Sequence, residues 1–176
     1  MGSHCWTKSR TFTFNKKIPM KITDAIALQL LEVHFGTNWT EVWIRKTLED
    51  VTHEEAQQPT PATPNTIAAL LYHITFYNNV ILSRLQGIDP PIGDANGFDV
   101  PTLGNAGDWE QLKTDNLASA RQLAEAIRKL PDEVLGDPVL KDRPSSPYYR
   151  QLHGVIEHAH YHLGQIVLLK KWIRNS

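Results

Sequence analysis

A ten-residue stretch near the end of the chain carries three histidines within five positions. It reads EHAHYHLGQI and runs from Glu157 to Ile166. On a helix, side chains four residues apart share a face, so His158 and His162 would project together while His160 would point away from them. On a strand, all three rings would line one side. The neighbouring sequence has to decide between these two structures.

The flanking residues favour a helix. No proline occurs between Tyr149 and Ile173, and basic residues gather at the end of this segment, where cations suit a helix C-terminus. At about 100° per residue, several apolar side chains fall within roughly one quadrant of His158 and His162. The pattern therefore predicts a helix that presents two imidazoles from its buried side. These apolar positions are Val155, Ala159, Ile166, Leu169 and Ile173.

Two inward histidines on one helix face need a physical explanation. A single buried histidine is usually a core residue that is hydrogen-bonded to a carbonyl or a neighbouring side chain. Two such histidines each have a ring nitrogen to satisfy, and protonating both would place like charges side by side. A shared metal ion removes this difficulty, because neutral imidazole binds zinc and similar cations. Two ligands rarely hold a metal, so this hypothesis requires a third donor from elsewhere.

The bulk composition excludes several functional classes. The 176 residues suffice for one domain with a hydrophobic core. The 18 basic and 19 acidic residues form no basic block, which argues against nucleic acid as a partner. No apolar run approaches the roughly 20 residues that span a bilayer, and no secretory leader is recognisable. The single cysteine, Cys5, excludes an intrachain disulfide framework and favours the reducing cytoplasm.

Proline, glycine and capping residues divide the chain into segments. Residues 1–19 have no helical period, and we expect a poorly ordered or short irregular extension before one domain at 20–176. Thr23 is a predicted N-cap for a first helix, continued as one helix or two collinear pieces to about Val51. Thr63-Pro64 predicts a helix start with proline at its first position.

The second predicted helix ends at Leu85, with Gly87 just beyond it in the position that glycine favours. It carries His73 in apolar surroundings. Asp108 is the predicted cap of a third helix, which Pro131 closes. Residues 88–107 are rich in Pro, Gly, Asp and Asn and predict a long loop, and loops of that length are often functional, for example as one side of a pocket. Four helices without strands predict an all-α bundle, with its topology left open by the loop lengths.

Three segments resemble the DinB-like (DinB/YfiT-type) family. The specific one is the run Glu-His-x-x-Tyr-His-x-Gly-Gln-Ile within GVIEHAHYHLGQI, residues 154–166. The other two are LYHI at residues 71–74 and HFGTNW at residues 34–39. The resemblance spans about residues 20–172. It implies a four-helix bundle with a crossed connection.

The resemblance also implies a divalent metal held by three histidines, one from the second helix and two from the last. Carried onto this sequence, the ligands are His73, His158 and His162, which supplies the third donor that the spacing requires. His153 and His160 have no counterpart among the family's ligands. The sequence assigns no role to His34, which could be a core or a pocket residue.

Three neutral nitrogens with an open coordination position are typical of catalytic metal sites. Zinc is the default ion for three imidazoles, while nickel, iron and manganese remain open. Some relatives resemble thiol-dependent transferases, so the implied function is a metal-dependent enzyme that acts on a small molecule with a low-molecular-weight thiol. A metal-dependent hydrolase and a non-catalytic, metal-stabilised binding module are the alternatives. Four polar or aromatic residues lie one helical turn from the predicted ligands: Tyr77, Asn78, Tyr161 and Gln165. Each could contact the substrate, donate or accept a hydrogen bond that orients a ligand, or simply pack between helices.

The last predicted helix is apolar on other sides as well. Ile156, Leu163, Val167 and Leu168 lie away from the histidine face. A helix that is hydrophobic over most of its girth must be covered by its neighbours or by another subunit. We therefore expect a homodimer, with burial by the N-terminal extension or the long loops as the alternative.

Overall fold

The computed structural model describes residues 20–176, and within this range it contains six α-helices and no β-strand. The all-α prediction is therefore confirmed. The predicted extension at residues 1–19 lies outside the described residues. A short 3₁₀ helix at Asp132–Gly136 precedes the last helix. The α-helices are α1 (Ile22–Phe35), α2 (Ile44–Thr47), α3 (His53–Gln57), α4 (Ile67–Leu85), α5 (Ala106–Lys129) and α6 (Tyr148–Asn175).

Four long helices, α1, α4, α5 and α6, pack around a common core. Helices α5 and α6 each pack against both α1 and α4. Over residues 20–176, the pairs α1 with α4 and α5 with α6 share few contacts, because the members of each pair lie diagonally opposite. The connection from α1 to α4 therefore passes from one corner of the bundle to the opposite corner. This packing agrees with the crossed connection that the family resemblance implies.

The short helices α2 and α3 lie in the connection from α1 to α4 and close one side of the core. Trp109 of α5 is buried there, and its indole N–H donates a hydrogen bond of 2.8 Å to the carbonyl of Val51. The basic end of α6 is attached to the same region. Arg174 forms ion pairs with Asp50 at 2.7 Å and with Glu55 at 2.8 Å.

The first helix differs from its prediction at both ends. It starts at Ile22, and its first N–H groups are satisfied by a distant residue. The carboxylate of Asp132 accepts hydrogen bonds from the backbone N–H groups of Ile22 at 2.8 Å and Thr23 at 2.9 Å. The helix ends at Phe35, because Gly36 adopts φ +133°. The prediction of one helix or two collinear pieces continuing to Val51 is therefore wrong, since only the four residues of α2 are α-helical between Phe35 and Val51.

Two predicted helix starts are displaced by a few residues. Helix α4 begins after Thr66, whose side chain accepts a hydrogen bond from the Ala69 N–H at 3.2 Å, so the Thr63-Pro64 start is wrong. Asn105 caps α5 in place of Asp108, because its side-chain oxygen accepts from the second and third N–H groups of the helix.

The predicted end of α4 is confirmed. Gly87 adopts φ +80° and its N–H donates to the carbonyl of Arg84, while the N–H of Ile88 donates to the carbonyl of Ser83, both at 3.0 Å. These two bonds satisfy the last carbonyls of the helix in the way that a glycine at this position permits. None of the helices within residues 20–176 has the length and hydropathy needed to cross a membrane.

Candidate metal centre

Helices α4 and α6 bring three imidazoles together inside the bundle. His73 comes from α4, and His158 and His162 lie one turn apart on α6. The Nε2 atoms of His73 and His158 are 2.9 Å apart, and one ring nitrogen from each of the three residues lies within 4.8 Å of the others. The three residues predicted as metal ligands therefore occupy one place, and they could hold a metal ion.

Two of the three rings are oriented by hydrogen bonds from their outer nitrogens. The Nδ1–H of His73 donates to the carbonyl oxygen of Asn96 at 2.8 Å, and the Nδ1–H of His162 donates to Oε1 of Gln165 at 2.7 Å. Both partners are acceptors only, so each Nδ1 carries the proton and each Nε2 presents a lone pair to the cluster. Metal-binding histidines are typically oriented in this way.

His158 completes the donor set. Its Nδ1 is buried and has no hydrogen-bond partner among the described residues, while its Nε2 faces that of His73. A proton shared between two nitrogens leaves the third without a partner, whereas one cation satisfies all three. Two nitrogens bound to zinc at 2.0–2.1 Å in a tetrahedral site are about 3.3 Å apart. One separation in the cluster, 2.9 Å, is slightly shorter than this value and the others are at most 4.8 Å, so small rotations of the rings would fit the donor set to a zinc-sized ion.

Burial keeps the cluster neutral at pH 7. It lowers the pKa of His73 to about 4, and it lowers the pKa of His158 to about 3 with a further contribution from the neighbouring His162 and His73. Burial also lowers the pKa of His162, against the hydrogen bond to Gln165, which raises it. Neutral imidazoles keep the lone pairs that a metal ion needs.

The long loop between α4 and α5, which the sequence predicted, forms one wall of the site. Besides the carbonyl of Asn96, it contributes Phe98, whose ring stacks on that of His73 at 3.8 Å with an interplanar angle of 12°. The hydroxyl of Tyr77 donates to Oδ1 of Asn96 at 2.6 Å. These contacts hold the His73 ring from its outer edge and one face.

Gly97 is required in this loop for two reasons. It adopts φ +73°, and a Cβ atom built on it would lie 2.5 Å from Cγ of Phe76. Any side chain would displace the segment that carries the Asn96 carbonyl. Asn96 and Phe98 were not among the residues singled out from the sequence, although the Asn-Gly dipeptide is a turn signal that could have drawn attention to them.

A cleft of about 590 Å³ opens beside the histidines, between α4 and α6. This volume lies in the range of small-molecule sites. Tyr161 is 64% exposed and stands at the rim, with its ring 4.9 Å from that of His162. The imidazoles are therefore accessible from one side and enclosed by protein on the others.

Other candidates from the sequence lie away from the cluster. Asn78 points into the core, where its amide donates to Oγ of Ser119 at 3.0 Å, so it does not contact the three histidines. His34 is fully buried in the same part of the core. His160 lies on another face of α6, and His153 packs against Tyr149 with 4.3 Å between ring centroids.

Comparison with family models gives a match over most of the chain. The model described as the DinB superfamily matches residues 37–166, which is more than half of the chain and includes all three clustered histidines. Searches of curated proteins and of solved structures return no match. From the extent of the family match, we conclude that the chain belongs to the DinB superfamily.

Proposed function

We propose that the protein binds one divalent metal ion through Nε2 of His73, His158 and His162, and that this site acts on a small molecule. The observation that carries the proposal is the convergence of three neutral imidazoles, two of them held by Nδ1–H hydrogen bonds with Nε2 turned inward. Residues 20–176 are the proposed domain. Zinc is the proposed ion, with nickel, iron and manganese as alternatives.

The surroundings favour a catalytic site over a closed structural one. Three protein ligands leave a coordination position free, and the cleft gives a small molecule access to it. An ion bound here would lower the pKa of a coordinated water or thiol, or polarise a carbonyl. The protein itself keeps the imidazoles neutral and fixes their orientation. The ring of Phe98 covers one face of His73 and excludes water from it.

The family resemblance supports a transferase that uses a low-molecular-weight thiol. Metal-dependent hydrolysis would need only a coordinated water in the same position, so a substrate screen with and without added thiol separates the two reactions. A binding module without catalysis would instead have no exchangeable water on the ion and a metal-dependent melting temperature.

The first test is the metal content of the purified protein after reconstitution with zinc or nickel. We expect about one ion per chain, and H162A should lose it, because two imidazoles rarely retain a metal ion. Absence of bound metal in the wild-type protein would overturn the proposal. If H162A loses the metal but retains a turnover found in the screen, the catalytic part of the proposal is wrong.

We also propose that the protein forms a homodimer through α6. Ile156 and Leu163, which suggested a helix needing outside cover, are buried by the chain itself. Leu168 and Trp172 are 68% and 51% exposed. Light scattering after size-exclusion chromatography should give a dimer for the wild type and a monomer for L168E, and a monomeric wild type would contradict this.

Cytoplasmic localisation is proposed from the single cysteine, and cell fractionation can test it.

A further inference from the structure

The cleft continues from the histidines to a second group of polar side chains at its other end. Arg84 of α4 and Arg150 of α6 both line the cleft. The eleven residues from His73 to Arg84 span about 16 Å along α4, and the eight from Arg150 to His158 span about 12 Å along α6. The guanidinium groups therefore lie roughly one small-molecule length from the imidazoles.

Arg84 is buried and rigidly held. Its residue surface is 8% exposed, its Nε donates to Asp89 at 3.0 Å, and its Nη1 donates to Oε1 of Gln151 at 2.8 Å. These bonds use only part of the five N–H groups of a guanidinium. Among the described residues, Nη2 has no hydrogen-bond partner. A buried arginine that lines a cleft with donors to spare is suited to a planar anion.

The local charges leave this end of the cleft positive. Asp89 forms ion pairs with both Arg84 and Arg143, so its single negative charge faces two guanidinium groups. Arg150 is exposed to the cleft and forms no ion pair with any residue of the described range. The acidic residue that lines the cleft, Glu157, is next to His158 in the chain and so belongs to the histidine end.

The middle of the cleft carries no charge. Ile81 and Val155 line it, each about 4% exposed. Gly154 lies between the two ends on α6, and a Cβ built on it would meet no atom within 4 Å. The cleft thus presents a metal-binding end, an uncharged and open middle, and a cationic end.

We propose that Arg84 and Arg150 form an anion subsite that selects substrates with a carboxylate or similar anionic group roughly 10 Å from the reacting atom, which is the spacing of about 12–16 Å along the helices less the reach of the side chains into the cleft. The position of the reacting atom rests on the function proposed above, whereas the anion subsite itself does not. A guanidinium can bind a carboxylate with two parallel, charge-assisted hydrogen bonds, which a neutral group of the same shape cannot replace.

Two pairs of probes test the subsite by calorimetry. On zinc-loaded protein, 8-mercaptooctanoate is compared with 8-mercapto-1-octanol, which has the same thiol but no charge. On metal-free protein, octanoate is compared with 1-octanol, so that binding requires no thiol–metal bond. We expect the acid of each pair to bind about tenfold more tightly than the alcohol, the usual size of a charge-assisted hydrogen bond.

Three variants distinguish direct contact between an arginine and the anion from a long-range effect of nearby positive charge. R150Q should remove most of the preference for the acid while leaving the affinity for the alcohol unchanged. R143Q is the charge control, because Arg143 does not line the cleft and is linked to the subsite only through Asp89, and it should keep most of the preference. R84K, with its melting temperature measured, should also reduce the preference.

The outcomes distinguish this inference from the proposed function. Equal affinities for acid and alcohol in the wild type, no binding of either pair, or an unchanged preference in R150Q would each overturn the anion subsite. A preference for octanoate in a protein that binds no zinc would support the subsite and overturn the metal proposal. Equal loss in R143Q and R150Q would show a general charge effect and would also overturn the subsite.

Discussion

Buried histidines occur in two regions of this molecule that differ in the hydrogen-bond partners of their ring nitrogens. His34 of α1 is fully buried, and burial lowers its pKa to about 4, as it does for His73 of the cluster. The Nδ1–H of His34 donates to the carbonyl of Leu30 at 2.8 Å, and its Nε2 accepts from the amide of Asn78 at 3.4 Å. Both ring nitrogens of His34 thus have partners within the protein.

In the cluster, His73 and His162 have protein partners on their outer nitrogens, Nδ1 of His158 has none among the described residues, and ring nitrogens of all three residues converge. Burial and a lowered pKa are therefore common to both regions and do not distinguish a metal site from a core histidine. The distinguishing feature is the direction of the remaining lone pair. In the core it meets an amide donor, whereas in the cluster it meets the ring nitrogens of other histidines.

The largest expected effect concerns metal affinity. H158A should weaken zinc binding by more than about 100-fold, because changes to outer hydrogen-bond partners alone cost 10- to 100-fold. H160A removes an imidazole two residues away that lies outside the cluster, and H34A removes one in the core. Zinc titration should show both of these variants binding like the wild type. A similar loss in H160A would mean that the cluster is not the binding site.

The same substitution in the two regions should have different effects on the metal-free protein. H34L should lower the free energy of unfolding by about 1–3 kcal/mol, because a buried amide of Asn78 loses a partner and the bond to Leu30 is lost. H158L should lower it by less than H34L does, since the leucine removes one nitrogen that has no partner and only the single contact between Nε2 of His158 and Nε2 of His73. Urea denaturation measures both free energies, and equal losses would show that the two regions do not differ in this way.

The pH dependence of stability should sharpen the comparison. The pKa of His34 is about 4 in the folded protein, below the ordinary 6.5, so the unfolded chain binds more protons between these values. Stability is therefore full above pH 6.5 and falls as the pH drops through this window, by about 2 kcal/mol between pH 7 and pH 5 for one such group. Metal-free wild type and H34L, compared by urea denaturation at both pH values, should differ by this amount. Parallel losses would mean that burial does not keep His34 neutral.

The smallest expected effect comes from the outer hydrogen bond of His162. Q165M keeps the length of the side chain but removes the acceptor that orients Nδ1. Zinc affinity should fall by roughly tenfold, at the lower end of the range for such partners, while the urea midpoint of the metal-free protein stays unchanged. An unaltered affinity would show that packing alone orients this ring.

Part of the site could be predicted from the sequence because it is local. A spacing of four on a proline-free segment places His158 and His162 on one face of α6, and the structure agrees. The first helix shows the limit of local patterns, since Gly36 ends it and Asp132, more than one hundred residues away, supplies its N-terminal hydrogen bonds. The Asn96 carbonyl could not be assigned to His73, because any loop residue could have supplied it.

The sequence by itself determined the helical class, the last helix and the pair of imidazoles on its buried face, since these follow from periodicity along a single segment. The tertiary structure decided which other residues meet that pair. Because α4 packs beside α6, His73 joins the cluster. Because α1 lies diagonally opposite α4, His34 lies in the core. Both are histidines among apolar residues in the sequence, and only the packing of the helices determines where their ring nitrogens find partners.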